Sequence, residues 1–373
     1  MANTSLVSSV AETGIRTMFH STPSQPDSST SNGQQQSPPS SQNALRSFPG
    51  VRCTLQKFGF SGDVANLVAA SWKDSTQKQY RSYLSRWLQF CGEREINPYT
   101  PSLHLNSVLE FLTALYHQGL GYSAINTARS AISSLELSSN NPIGNHPLVR
   151  RLIKGVFASR PCLPRYSRTW NVSNVLNFLE SLYPVNMLTL LDLTKKLAML
   201  LALVTGQRGH YLHVLETTGI DFSENVMTLY TRNVLKTSRP GSHQVPIRVS
   251  KFHDKPALCV YSTMLAYLDR TELLRENTDL LFIGTVPPHK PVCRSSISRW
   301  IKSVMLSAGI NVTEFGAHST RAAATSAAAK RQVPLQQILK AAGWSNDCTF
   351  RRFYNRDSEQ ETDNSLSEIV NSV

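Results

Sequence analysis

The chain has 373 residues, 40% of them hydrophobic and 17% charged, enough apolar side chains for more than one core. Lys and Arg number 38 against 25 Asp and Glu, a formal charge of +13 that points to a polyanionic partner, because cations that meet phosphates release counterions. Six cysteines at 53, 91, 162, 259, 293 and 348 form no CxxC pair, which argues against a zinc ribbon or a disulfide scaffold and for a reducing compartment, nucleus or cytoplasm. No membrane association is expected. The longest apolar run, Leu197 to Val204, is far below the roughly 20 residues that span a bilayer, and no basic segment followed by an apolar stretch opens the chain.

Charge is uneven along the chain. Residues 1–50 are net neutral and 357–373 carry −5, so residues 51–356 must carry +18 to give the total of +13. Residues 21–45 are Ser, Pro, Gln and Asn with almost no apolar side chains, so 1–50 is expected to be a disordered tail. From Ser71 the apolar spacing becomes helical. Trp72, Tyr80, Leu84, Trp87, Leu88 and Cys91 form one stripe, with Asp74 and Ser75 as its cap. Leu105, Val108, Leu109, Leu112 and Leu115 form a second stripe, and Ile125, Ala128, Ile132 and Leu135 a third. Leu148, Leu152, Ile153 and Val156 form a fourth, whose other face carries Arg150, Arg151 and Lys154. Four short helices with basic edges predict an all-α domain over 55–158. With Arg160, the basic residues Arg150, Arg151 and Lys154 form the expected polyanion-binding face. Two prolines in four residues, Pro161 and Pro164, predict a linker over 159–168.

A second domain is expected over 169–357. Helical patterns cover 172–183 and 190–204. Val226–Tyr230, Asn233–Lys236 and Gln244–Ile247 read as short strands, with a turn at Arg239-Pro240-Gly241. Further helices are expected over 257–269, 295–308, 318–331 and 334–341. No repeat of 20–50 residues is visible. The acidic segment 358–373 holds Leu366, Ile369, Val370 and Val373, a short apolar stripe that predicts a helix of about nine residues, marginal without a docking groove. The fold class is therefore mainly α with a small antiparallel β-sheet.

The most specific text lies in the last third: Ala317-His318-Ser319-Thr320-Arg321, then Gly343-Trp344, then Phe350-Arg351-Arg352-Phe353-Tyr354. Three-residue spacing puts His318 and Arg321 on one face at the start of an Ala-rich helix. A guanidinium beside an imidazole suits a phosphodiester, since the planar fork binds two phosphate oxygens at once. With these residues the chain resembles the tyrosine recombinases, the family of phage integrases and Cre-like enzymes. That family's pattern is Arg, a hairpin Lys, His-x-x-Arg, a His or Trp, and a nucleophilic Tyr. Here it falls in order on Arg208, Lys236, His318, Arg321, Trp344 and Tyr354, and the likeness spans roughly 60–357. Gln207-Arg208-Gly209-His210-Tyr211, Gly343-Trp344-Ser345 and Thr349–Tyr354 look most like recombinases of DIRS-type retrotransposons. Tyr211 stands where bacterial and phage members usually have an acid, and Trp344 lies ten residues before Tyr354, one more than in phage enzymes.

The resemblance implies an all-α core-binding domain followed by an α+β catalytic domain. It also implies a DNA breaking and rejoining enzyme that works through a covalent 3′-phosphotyrosine. Arg208, Arg321 and Trp344 would hold the phosphate, His318 would take the tyrosine's proton, and Lys236 would protonate the leaving oxygen. Double-stranded DNA and a homotetramer are the implied partners, with no metal and no small-molecule cofactor. Two rivals share the residues: a DNA-binding descendant without catalysis, and a type IB topoisomerase-like enzyme.

Overall fold

The computed structural model describes residues 51–356, apart from 53–54, 57–58, 137–139, 162–165, 237, 239 and 242–244. The expected disordered tail (1–50) and acidic tail with its short helix lie outside the described residues, as does the centre of the predicted linker. The chain divides into two compact units, 1–162 and 163–373. Among the described residues no helix is long and apolar enough to cross a membrane.

Among the described residues, the first unit carries the helices α1 (Gly62–Ala70), α2 (Asp74–Gly92), α3 (Leu105–His117), α4 (Tyr122–Ser133) and α5 (Pro147–Ser159). The sequence reading expected four. It missed α1, whose nine residues bury only Ala65 and Ala69 and so show a faint stripe. The expected cap at Asp74–Ser75 is corrected too: Lys73 is the N-cap and Asp74 lies in the first turn, where its charge faces the positive end of the helix. Fully buried Gln77 joins α1 to α2 by donating to the carbonyls of Ala69 and Trp72. The core centres on Trp87, whose ring meets Phe111 edge-on at 5.3 Å. On α5 the buried residues are Val149, Ile153 and Val156, whereas Leu148, assigned to the buried stripe from sequence, is 53% exposed. Pro at the first turn sets the helix start, and the inward face keeps Ile153 and Val156 as expected but takes Val149 in place of Leu148.

The second unit runs α6 (Val172–Ser181), α7 (Leu190–Thr205), α8 (Gly209–His213), β1 (Ile220–Phe222), β2 (Val226–Leu229), β3 (Ile247–Ser250), α9 (Val260–Thr271), α10 (Arg294–Ser307), α11 (Ser319–Lys330), α12 (Leu335–Ala342) and α13 (Asp347–Phe353). Helix α7 is the centrepiece. Residues 197–201 are all buried, because α9, α10 and α11 pack around it. Even Lys196 on α7 is fully buried; its ammonium caps α6 by donating to the carbonyls of Leu179 and Leu182.

The sheet is antiparallel in the order β1-β2-β3, pairing Ile220 with Leu229 and Met227 with Val249. Met227, Leu229 and Val249 point into the core. Two strands differ from expectation. Asn233–Lys236 is not a strand, since Asn233 turns its amide onto the carbonyl of Val214 and the carboxylate of Glu216, and Leu235 N–H finds the Ser238 hydroxyl. The third strand begins at Ile247, after Pro246, which cannot donate to a ladder. Strand β1 was missed because its three residues are too few to show alternation.

Candidate active site

The site grows from two helix ends. Helix α7 stops at Gly206, which takes the left-handed conformation (φ 56°), and α12 stops at Gly343 in the same way (φ 66°). Past α12, Gly343 N–H returns to the Lys340 carbonyl at 3.1 Å and Trp344 N–H to the Leu339 carbonyl at 2.9 Å. The two ends are tied together by the Gln207 side chain, which donates to the Ala341 carbonyl at 2.6 Å.

Between them lies Arg321. It is 1% exposed, and its guanidinium donates to the carbonyls of Gly206 (2.6 Å) and Ala342 (2.7 Å). A cation here meets the negative ends of both helix dipoles. Burial, and then the neighbouring charge of Arg208, lower its pKa to about 10, so it stays charged at neutral pH. Its Nε has no hydrogen-bond partner among the described residues. The indole of Trp344 covers the guanidinium, with its centroid 4.1 Å from the central carbon, and the Tyr354 ring lies 5.4 Å from the same carbon. Trp344 and Tyr354 rings are 4.7 Å apart. The buried indole N–H of Trp344 also lacks a partner among the described residues.

His318 is the N-cap of α11. Its Nε2 lies 3.3 Å from the Tyr354 hydroxyl, and with the ring proton on Nδ1 it accepts from that hydroxyl. Packing against the protein, followed by the charges of Arg321, Arg208, Arg294 and Lys236, pushes its pKa down to about 4. His318 is an exposed residue, and solvent screens part of that push. Neutral imidazole beside a phenol is the state a general base needs.

Arg208 is the N-cap of α8, two residues beyond the glycine that ends α7, and makes no ion pair among the described residues. With Lys236, Tyr211 and Trp344 it lines an open cleft of about 770 Å³. Lys236 sits exposed in the turn between β2 and β3 rather than on a strand. Tyr211 is 5% exposed, burial raises its pKa, and its hydroxyl has no partner among the described residues. It therefore places no negative charge against Arg208.

Sequence reasoning missed Arg294. It opens α10, lines a small cavity with His318 and Arg321, and adds to the field on His318. A cation in the first turn of a helix opposes the dipole, and that was the available signal. In the first unit, Arg150, Arg151 and Lys154 are brought together on the exposed side of α5, along a shallow surface depression. Arg160 is engaged otherwise: it donates to the carbonyls of Leu120 and Tyr116 and stacks 4.3 Å over the Tyr116 ring. Among the described residues no group of three His, Cys, Asp or Glu side chains could hold a metal ion.

Comparison with known proteins follows the same lines. No curated protein matches the chain. Among solved structures, the XerH site-specific recombinase bound to palindromic difH substrate, a post-cleavage complex, is similar with a TM-score of 0.58 and 16% identity over 88% of this chain and 96% of that one. The XerH pre-cleavage complex gives 0.49 and 19% over 70% and 68%. A lambda integrase dimer bound to a COC′ core site gives 0.44 and 18% over 76% and 79%. At these identities the first match speaks for the fold. The phage integrase family model matches residues 171–361, the span that carries Arg208, His318, Arg321, Trp344 and Tyr354. The chain belongs to the phage integrase family, the tyrosine recombinases.

Proposed function

We propose that the chain is a DNA strand-exchange enzyme that cleaves and rejoins double-stranded DNA through a covalent 3′-phosphotyrosine, and that it serves the integration of a DIRS-type mobile element in the nucleus. The observation that carries the reading is the 3.3 Å approach of His318 Nε2 to the Tyr354 hydroxyl, beside the buried Arg321 cation.

A phosphodiester repels anionic nucleophiles, so its charge must be met first. Arg208 on the cleft wall and the unpartnered N–H groups of Arg321 and Trp344 are the donors for the non-bridging oxygens. The Tyr354 oxygen attacks phosphorus as its proton passes to His318 Nε2, and the bond from phosphorus to the 5′-oxygen breaks. Lys236 gives a proton to that departing oxygen. The phosphotyrosyl bond keeps the energy of the broken ester, so a 5′-hydroxyl can reverse the step on the same or another strand. Exchange between two duplexes needs four active sites, hence a homotetramer on DNA.

The test uses a pool of nicked duplexes of randomised sequence, on which a cleaved strand end diffuses away and the covalent adduct accumulates. Wild-type protein should form an adduct that Tyr354→Phe abolishes, with duplex affinity held within about threefold. Lys236→Ala should be rescued by a 5′-bridging phosphorothioate, whose thiolate leaves without a general acid. An adduct that survives Tyr354→Phe would overturn the reading, and capture of only one duplex per complex would favour a topoisomerase-like enzyme.

A further inference from the structure

Helix α11 carries a run of alanines interrupted at Thr325 and Ser326. The Thr325 hydroxyl turns back onto the Arg321 carbonyl at 2.8 Å, an ordinary bond within the helix. Ser326 does something different. It is 1% exposed, and its hydroxyl crosses to the segment after α13, donating to the Tyr354 carbonyl at 2.5 Å and accepting from the Arg356 N–H at 3.1 Å. One side chain therefore meets a backbone acceptor and a backbone donor on either side of Asn355.

Apart from the ring contacts of Tyr354, the segment's other described backbone anchors stay within it, the N–H groups of Tyr354 and Asn355 both bonding the Phe350 carbonyl. Helix α13 is seven residues long and ends just before Tyr354, whose N–H bonds the Phe350 carbonyl at 2.8 Å. The cluster beneath it has only three buried apolar residues, Ile338, Leu339 and Phe350, apart from the main core. A short helix on so small a cluster does not by itself fix a side chain to within a few tenths of an ångström. Ser326, by contrast, is rooted in the helix that bears His318 and Arg321, five residues after the arginine.

We propose that Ser326 is a positioning residue for the nucleophile: its hydroxyl fastens the Tyr354 backbone to α11, so that the phenol, His318 and Arg321 move as one rigid group. This rests on Tyr354 being the nucleophile. Near-attack geometry is sensitive at this level, because misplacement by about 1 Å can cost about a hundredfold in rate.

Ser326→Ala and Ser326→Thr in the full chain test it. Alanine is a strong helix former, so the substitution should leave α11 folded. Ser326→Ala should lower the maximal rate of adduct formation on the nicked-duplex pool at least tenfold, with the half-saturating DNA concentration within about threefold. Ser326→Thr, which keeps the hydroxyl, should recover most of the rate. In the free protein, hydrogen exchange in Ser326→Ala should quicken at 350–356 and stay unchanged across α11. Wild-type rate and wild-type exchange at 350–356 in Ser326→Ala would overturn the proposal, as would equal loss in the alanine and threonine variants. If wild-type protein forms no adduct, the reading of the reaction fails, and the exchange measurement still decides whether Ser326 holds the segment.

Discussion

Two arginines that look equivalent in the motif do different work. Arg321 closes the carbonyl ends of α7 and α12 as well as facing the Tyr354 ring, whereas Arg208 stands on the wall of an open cleft. Hydrogen bonds from a charged donor contribute about 1.5–3 kcal/mol each, so loss of the two in Arg321→Ala should lower stability by about 3–6 kcal/mol in denaturant unfolding. Arg208→Ala should stay within about 0.5 kcal/mol of wild type. Both should slow adduct formation by about 10²–10³, as loss of a transition-state donor does. A stable Arg321→Ala protein would show that the helix ends find other partners. His318 has its own signature. Its free-protein pKa, pushed down to about 4, leaves it neutral and able to accept a proton through the range where an ordinary imidazole, at about 6.5, is half charged. The acid limb of kcat/KM should therefore lie well below pH 6.5. Bound phosphate neutralises the surrounding cations, so the limb of kcat should fall at higher pH than that of kcat/KM. Rate profiles at limiting and saturating DNA check this, and coincident limbs near pH 6.5 would refute it.

At the scale of elements, the site depends on where helices stop. The left-handed glycine at 343 lets the chain leave α12 and lay Trp344 over Arg321. A side chain at this φ costs roughly 1–2 kcal/mol, and its Cβ would lie 3.4 Å from the Gln207 amide that joins the two helix ends. Gly343→Ala should therefore lower Tm by several degrees through backbone strain, with adduct formation falling no more than the stability loss explains, because the added Cβ meets the Gln207 amide in ordinary van der Waals contact. Thermal melts paired with single-turnover rates would show it. Most of these elements were legible. The stripes of α2 to α4 and the long apolar run of α7 announce themselves, since burial on one side or on all sides leaves a period or a run. Strand β1, the short helix α13 and the loop at Asn233–Lys236 did not, because three to seven residues hold too little pattern and side-chain bonds to the backbone compete with a ladder.

At the scale of the whole molecule, the charge lies in 51–356, and α5 presents Arg150, Arg151 and Lys154 on one exposed face. Duplex affinity should fall steeply with salt. Alanine at each of these three positions should reduce the slope of log affinity against log salt by about 1, equally for all DNA sequences. Fluorescence anisotropy titrations between low and moderate salt measure it, and an unchanged slope would remove this face from the interface. Arg160 should behave differently. Its guanidinium already holds the carbonyls at the end of α3, so its replacement should cost stability rather than slope.

The order of candidate site residues along the chain was readable from the sequence through the resemblance to the tyrosine recombinases, whereas residue type alone left His318 and Arg321 as two polar residues at an ordinary helix start. Helix periods were readable directly, since burial selects apolar side chains at fixed intervals. What only the tertiary structure decided is which side chains meet. Gly206 and Ala342 lie 115 and 21 residues from Arg321, and Tyr354 lies 28 residues from the Ser326 hydroxyl that holds its carbonyl. No local pattern encodes such contacts, because a backbone carbonyl has no side-chain signature and a lone serine among alanines reads as a helix residue like its neighbours.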